Sequence, residues 1–350
     1  MLLSQSRRGI VAAAVLALLA GCSGATQLSP SATAAAQANR PVGAFALPAA
    51  KLATLRASHI AVPHVKAAKA AHSAWGHALF VSDYLGNVVQ EFQPKQGGAV
   101  IATISDVVGP QGMDRDRHGN LYVTSQGTSS VNVYKPGTYT AWKILNEGYA
   151  QAPASVAVCR NGTVYVSNTY ANYGYSNGSI QIFAHGSTSP TGTIPDSNIY
   201  FSFFAACDAA GNVWYDYLNT SFVTAVAEYV PSTGTITQYG SLGIAFPGGI
   251  RTLAHGMIAI NDQSATQSNG SVQIFNSANM AAGSVSTITG FADPVSGSWI
   301  KSDAATWQAD IVNQTVDFAK VAGTPQIKYS LGAGILYGPE DTLVFPSGNT

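Results

Sequence analysis

From about residue 75 onward, apolar and polar positions alternate with a period of two. Leu121-Tyr122-Val123-Thr124-Ser125, Val131-Asn132-Val133-Tyr134, Val164-Tyr165-Val166-Ser167-Asn168, Ile180-Gln181-Ile182-Phe183 and Ser271-Val272-Gln273-Ile274-Phe275 are short runs rich in Val, Ile, Thr and Tyr. That composition suits a pleated, half-buried surface. Gly, Pro and Asn interrupt the runs as turns do. Helical repeats of comparable length would need apolar residues at i, i+3, i+4 and i+7, and these stretches alternate instead.

The runs recur. A small turn residue, a strand, a polar residue, a second strand and a Pro or Gly turn form a unit that begins near Gly76, Gly119, Gly162, Gly211, Gly256 and Ala304. The period, roughly 42 to 49 residues, is that of a four-stranded propeller blade. The first unit has Ala78-Leu79-Phe80-Val81-Ser82-Asp83 but no strand before it, whereas the C-terminus carries an unmatched segment from Gly338 to Asn349. That segment reads like Gly109 to Asn120, the innermost strand of the second unit. The last strand is therefore expected to complete the first blade and hide the sheet edges. The sixth unit is degenerate, with Thr306-Trp307-Gln308-Ala309-Asp310 and Thr315-Val316-Asp317-Phe318 in the strand slots. The expected fold is all-β, a six-bladed β-propeller of four-stranded blades. Seven blades, by splitting 291–338, is the alternative.

Pro110-x-Gly112, an alternating inner strand, Gly119-Asn120, Leu121-Tyr122-Val123 and Val131-x-Val133-Tyr134 together resemble the NHL-type propellers and their streptogramin-lyase-like and gluconolactonase-like relatives. The resemblance covers about residues 75 to 350. It speaks for fold more than function, because propellers host many unrelated activities. It implies ligand binding around the central channel, on the face carrying the loops between second and third strands. The streptogramin-lyase likeness would imply histidine acid–base chemistry with a divalent metal. The gluconolactonase likeness would imply a metal held by Glu, Asn and Asp. Yet His118 and His255 fall at hairpin turns on the opposite face, and His185 follows a strand near Gly186, also away from the mouth. No cofactor is therefore expected. A divalent cation belongs to the alternative, a metal-assisted lyase or lactonase, for which Asp83, Asp262 and Asp310 would be tested first.

Residues 1–21 read as an export leader. Arg7 and Arg8 precede an apolar stretch from Ile10 to Ala20, too short to span a bilayer. Leu19-Ala20-Gly21-Cys22 resembles the lipobox of bacterial lipoproteins, which implies lipidation of Cys22. An ordinary leader with an incidental Cys is the alternative. Ser23, rather than Asp, implies the outer membrane in a diderm. Residues 22–72, rich in Ala, Ser, Thr, Gln and Pro, cannot bury enough apolar surface to fold and read as a tether. Residues 73–350 are the propeller.

Only 10% of residues are charged, with 17 Lys and Arg against 17 Asp and Glu. No basic stripe exists to neutralise phosphates, so no nucleic-acid partner is expected. Cys159 and Cys207 fall just before the hairpin glycines of adjacent units. In an oxidising compartment a disulfide is expected, with two buried thiols the alternative. Their offsets from Gly differ by one residue, which leaves the facing of the side chains open.

The residues ending the second strands are Asp83, Ser125, Asn168, Tyr217, Asp262 and Asp310. They would form a polar ring at the mouth, or simply bond the next turn. Two long loops follow, 168–178 with Tyr170, Tyr173 and Tyr175, and 261–270 with Gln263. Tyr, Asn and Ser supply flat apolar area and adaptable hydrogen bonds. Inter-blade aromatics Tyr149, Tyr200, Phe246, Phe291 and Tyr337 are expected to cap blade interfaces. The expected function is a lipid-anchored binding or scaffold module whose loop face takes a glycan, peptide or envelope protein. The candidate contacts are Tyr170, Tyr173, Tyr175, Asn168, Asp262, Gln263, Asp83 and Asp310.

Overall fold

The computed structural model describes residues 75–148, 151–171, 177–240, 242–263, 270–300, 303–321 and 324–345. Residues 1–74, on which the expected leader, Cys22 and the expected tether fall, and Tyr149, Tyr173 and Tyr175 lie outside them. Among the described residues there are six antiparallel four-stranded sheets, arranged as a six-bladed propeller. Blade 1 consists, from the axis outward, of β24 (Pro339–Phe345), β1 (Ala78–Asp83), β2 (Val88–Phe92) and β3 (Val100–Ile104), and blades 2 to 6 take residues 113–146, 153–193, 199–240, 247–291 and 294–331 in sequence. The degenerate sixth unit forms a full blade, with β21 (Ala305–Asp310) and β22 (Thr315–Lys320) in the expected slots. The seven-bladed alternative is thereby set aside.

The ring closes as the unmatched ends imply. β24 (Pro339–Phe345) pairs with β1 (Ala78–Asp83) from Ala78↔Phe345 to Asp83↔Pro339. The innermost strand of blade 2, β4 (Met113–Arg115), is short. Just before it, Gly112 donates its N–H to Ala154 O of blade 3 at 2.7 Å. A Cβ on Gly112 would come within 2.6 Å of the Ser155 Cα, so two backbones meet there with no room for a side chain.

The core is divided among the blade interfaces. Phe80, Met113, Leu121, Val123, Leu343 and Phe345 pack between blades 1 and 2. Val131, Val133, Val156, Val166 and Phe183 pack between blades 2 and 3. Tyr165, Ile180, Val213 and Tyr215 follow between blades 3 and 4. Trp214, Val226, Ile250, Ile260 and Phe275 fill the next interface, Val272, Ile274, Ile288 and Trp299 the fifth. Leu79, Val81, Phe92, Trp307 and Phe318 close the ring between blades 6 and 1. Side chains alternate along a strand, so Leu79 and Val81 serve one interface while Phe80 serves the other. Each sheet is apolar on both faces for this reason.

One polar tie crosses the axis. Arg251, at the end of the blade 5 innermost strand β16 (Pro247–Thr252), donates from Nε to Gly297 O of blade 6 at 2.9 Å. Its Nη2 reaches both carboxylate oxygens of Asp341 in blade 1, at 2.8 and 2.7 Å. The same nitrogen lies 3.5 Å from Met113 O of blade 2. Asp341, fully buried, also accepts the Met113 N–H at 2.8 Å. Burial pushes the Asp341 carboxyl up, and Arg251 is the largest influence opposing it. Blades 5, 6, 1 and 2 are thus linked through one guanidinium. Arg251→Ala, which leaves Asp341 without its cation, is expected to cost about 3–5 kcal/mol of stability in urea denaturation. Arg251→Met combined with Asp341→Asn is expected to recover part of that loss.

Candidate functional site

On the loop face the polar ring holds backbone. Asp83 accepts the N–H groups of Tyr337 and Gly338, at 3.0 and 2.8 Å. Asp262 accepts those of Ala245 and Phe246, at 2.9 and 3.1 Å. Asp310 accepts those of Ala292 and Asp293, at 2.8 and 3.3 Å. In each case a carboxylate at the end of a blade's second strand clamps two consecutive amides of the segment entering that blade. The Ser125 hydroxyl accepts a single such amide, Val108 N at 2.9 Å, and the next, Gly109 N, goes to Asn87 Oδ1. The fourth blade departs from this scheme. Its second strand β13 (Val213–Asn219) runs two residues past Tyr217, which is buried beside Tyr215. Asn219 takes the turn amides of Ser221 and Val223 instead.

The other described candidates also point inward. Asn168 is fully buried, Gln263 is buried with its Nε2 on Pro247 O at 3.0 Å, and Tyr170 is 8% exposed. Tyr170 belongs to a cluster that also takes Leu85 of blade 1, Phe203 of blade 4 and Ile311 of blade 6. Apolar side chains from across the ring therefore meet over the axis and roof the loop-face mouth. Among the inter-blade aromatics, Phe291 is buried between blades 5 and 6, Phe246 packs on Phe203 at 5.3 Å, and Tyr200 packs on Phe201 and Phe222.

Several carboxyl oxygens are buried without a hydrogen-bond partner among the described residues. Neither oxygen of Glu147 or Asp293 has a hydrogen bond among the described residues, nor has Oε1 of Glu340 or Oδ2 of Asp216. Burial pushes Asp293 and Glu340 well above the ordinary carboxyl range. Asp310 and Asp262 add to the effect at Asp293, and Asp293, Asp341 and Asp83 add to it at Glu340. Burial pushes Glu147 up to about 8, with Asn168 close by and opposing it from outside hydrogen-bond geometry. Asp293 and Glu340 are close enough to interact, whereas Glu147 lies by Asn168, and among the described residues no three His, Cys, Asp or Glu side chains converge to hold a metal. Among the described residues no such set matches the metal centre that the gluconolactonase likeness implies.

The described cleft lies on the other face, between the hairpin ends of blades 2 and 3. It has a volume of about 220 Å³. The turn before β5 (Leu121–Ser125) supplies Arg117 and His118. That turn is fixed by Asp116, which accepts the N–H groups of His118 and Asn120 at 2.8 and 2.9 Å and the Asn120 side-chain amide at 2.6 Å. Tyr122 in β5, then Trp142 and Lys143 at the start of β7 (Lys143–Asn146), form one wall. Arg160 and His185 of blade 3 form the other. Gly162, at φ +86°, lies beneath the His185 ring, and a Cβ there would come within 2.5 Å of it. Burial and the Asp116 carboxylate push the Tyr122 hydroxyl up to about 12, so it stays a neutral donor.

The Cys159–Cys207 disulfide is formed, with Cα atoms 5.2 Å apart, and Cys159 lines the cleft. The two cysteines occupy non-equivalent positions. Cys159 opens its hairpin turn, whereas Cys207 is the last residue of β12 (Ile199–Cys207). The one-residue difference in offset reflects this, and the bond staples blade 3 to blade 4. For a loop of 48 residues the chain-entropy model gives about 4 kcal/mol of stabilisation as an upper value.

No protein-family model matches the chain. No curated protein matches it. Solved structures do. A chain from a crystal structure of a nidogen/laminin complex is similar at TM-score 0.64 and 10% identity, over 79% of this chain and 100% of that one. A chain of Kuenenia stuttgartiensis hydrazine synthase is similar at TM-score 0.55 and 15% identity, over 73% and 80%. Virginiamycin B lyase from Staphylococcus aureus aligns at TM-score 0.42 and 14% identity, over 63% and 69%, a likeness too distant to carry an argument. At these identities the comparisons define the class, a six-bladed β-propeller, and nothing finer.

The sign of the Glu147 effect is definite. A carboxyl raised in the fold keeps its proton while the unfolded chain releases one, so stability falls as pH rises from 4.5 toward about 8. The slope is at most about 1.4 kcal/mol per pH unit. Glu147→Gln is expected to raise the thermal midpoint at pH 8 and leave it unchanged at pH 4.5, as scanning calorimetry at the two pH values will show.

Proposed function

We propose that this chain is an exported, lipid-anchored β-propeller acting as a binding module, and that its ligand enters the hairpin-face cleft between blades 2 and 3. The observation that carries the reading is the concave site itself, with cations and exposed aromatic surface around it. Paired strands position these side chains, and short turns present them. The loop-face candidates among the described residues are tied up in clamping backbone or in the apolar roof, so those side chains have less to offer a ligand. The fold occurs in a nidogen/laminin complex and in a hydrazine synthase, and so takes no side between binding and catalysis. A metal-assisted lyase or lactonase has no converging ligand set behind it among the described residues.

Anchoring rests on Leu19-Ala20-Gly21-Cys22 and the tether composition, and the NHL-type likeness on the Pro110–Tyr134 pattern. The strand that receives the tether, β1, begins at Ala78 on the hairpin face. An anchored propeller would thus carry the cleft on the side from which its tether leaves. Cys22→Ala is expected to abolish labelling by a palmitate analogue and to leave the leader uncleaved. Equal labelling of variant and parent would rule out acylation at this residue. Binding is tested by probing the full chain on glycan and peptide arrays, where a specific, saturable ligand is expected and a blank on both arrays would refute the module.

A further inference from the structure

Among the described residues there are nine lysines and arginines, and four of them surround the cleft between blades 2 and 3. Arg117, Lys143 and Arg160 line it, and Lys135 lies 4.7 Å from the ring centroid of its Trp142. The propeller as a whole is acidic, since all 17 Asp and Glu of the chain fall between residues 83 and 341. Asp116 is the acid at the cleft, and its oxygens are occupied by the turn it fixes. The ion pair among the described residues is Arg251–Asp341, so none of these four cations has a carboxylate partner. Cations held together in this way repel one another, and a bound anion relieves the repulsion.

The donors are available. Arg117 gives one N–H to His118 Nε2 at 3.2 Å, Lys143 gives one to Gly186 O at 3.2 Å, and Arg160 makes no hydrogen bond among the described residues. Two guanidinium forks from facing turns suit the planar oxygens of a carboxylate or phosphate. Beside them stands Trp142, 51% exposed, with Tyr122 below. The aliphatic members of the lining, Leu145 and Val164, are buried in the floor and offer no pocket for an apolar anchor. Flat aromatic surface, neutral donors and anion forks within about 220 Å³ match a hydroxyl-bearing ring with one charged substituent better than a peptide side chain.

We infer that this cleft binds an acidic saccharide, a sugar ring carrying a carboxylate or phosphate, with the ring against Trp142 and the anion between Arg117 and Arg160. The inference rests on the binding-module reading above and names its ligand class. The sugar can be part of a soluble polymer or the headgroup of a glycolipid.

The test is calorimetric titration of the full chain with trigalacturonate and glucose 1-phosphate, against maltotriose and inorganic phosphate. At least one charged sugar is expected to bind tenfold or more tighter than both controls. Arg117→Gln with Arg160→Gln, and separately Trp142→Ala, are expected to lose at least tenfold while the thermal midpoint stays unchanged, because all three side chains are exposed. Sedimentation with glucuronosyl-diacylglycerol vesicles assigns the source. Retention there without soluble binding supports a headgroup, and binding to both supports the shared chemistry. Equal retention on phosphatidylglycerol vesicles overturns the inference, because the ring then contributes nothing. So does equal affinity for maltotriose or inorganic phosphate, tighter binding of decathymidylate, or charged-sugar binding that ignores the variants. An array ligand whose affinity the cleft variants leave unchanged overturns the saccharide site and leaves the binding module standing. Blank arrays end both.

Discussion

A sheet that is apolar on both faces cannot end in water. Every blade of this protein is such a sheet, because successive residues of one strand serve two different neighbours, as Leu79 and Phe80 do. Burial of a large aliphatic or aromatic side chain is worth roughly 1.5–3 kcal/mol, and an open stack would forfeit it at both terminal blades. The ring is the arrangement in which each blade is covered twice. The pairing of β24 with β1 follows from that requirement, since it gives blade 1 the inner strand that its own part of the chain lacks.

Closing six sheets around an axis brings their innermost strands together, and what fills the axis decides what the axis can do. In this chain the filling is committed to structure. Gly112 admits a neighbouring backbone, Arg251 spans from blade 5 to blade 1, and apolar side chains meet above them. The carboxylates of Asp83, Asp262 and Asp310 lock the segments that enter three of the blades. The described cleft lies instead at the seam between two blades, where turns from separate repeats face each other across a gap.

The repeat was legible in the sequence because alternation and turn residues are local signals, and the C-terminal closure because one strand was missing at one end and surplus at the other. The disulfide was legible in part, because both cysteines fall just before the hairpin glycines of adjacent repeats, but their facing was not, because Cys159 opens a turn and Cys207 ends a strand. Counting from the hairpin glycine failed in the fourth blade. The nine-residue β12, with its two register shifts, supports a longer partner, so β13 ends at Asn219 and not at Tyr217. Tyr170 reads as a loop residue by its neighbours, and its burial depends on Phe203 and Ile311, far away in the chain. The cleft was illegible for the same reason. Arg117, Lys143, Arg160 and His185 belong to four different turns or strand ends, and only the packing of two blades makes them one site. A useful signal was present all the same. In a chain so poor in charge, cations at the same turn of consecutive repeats stand out.

The ring closure has a mechanical consequence. β1, the first strand of the propeller, is not at an edge, because β24 flanks it on one side and β2 on the other. A pull transmitted along the chain into Ala78 therefore acts parallel to two ladders whose bonds lie across it. All of those bonds bear the load together, in shear, instead of opening one after another like a zip. Had the first strand been an outermost one, the same pull would have peeled it away. The order in which this chain fills its first blade makes the propeller harder to unravel by a pull on its first strand than an outermost first strand would allow.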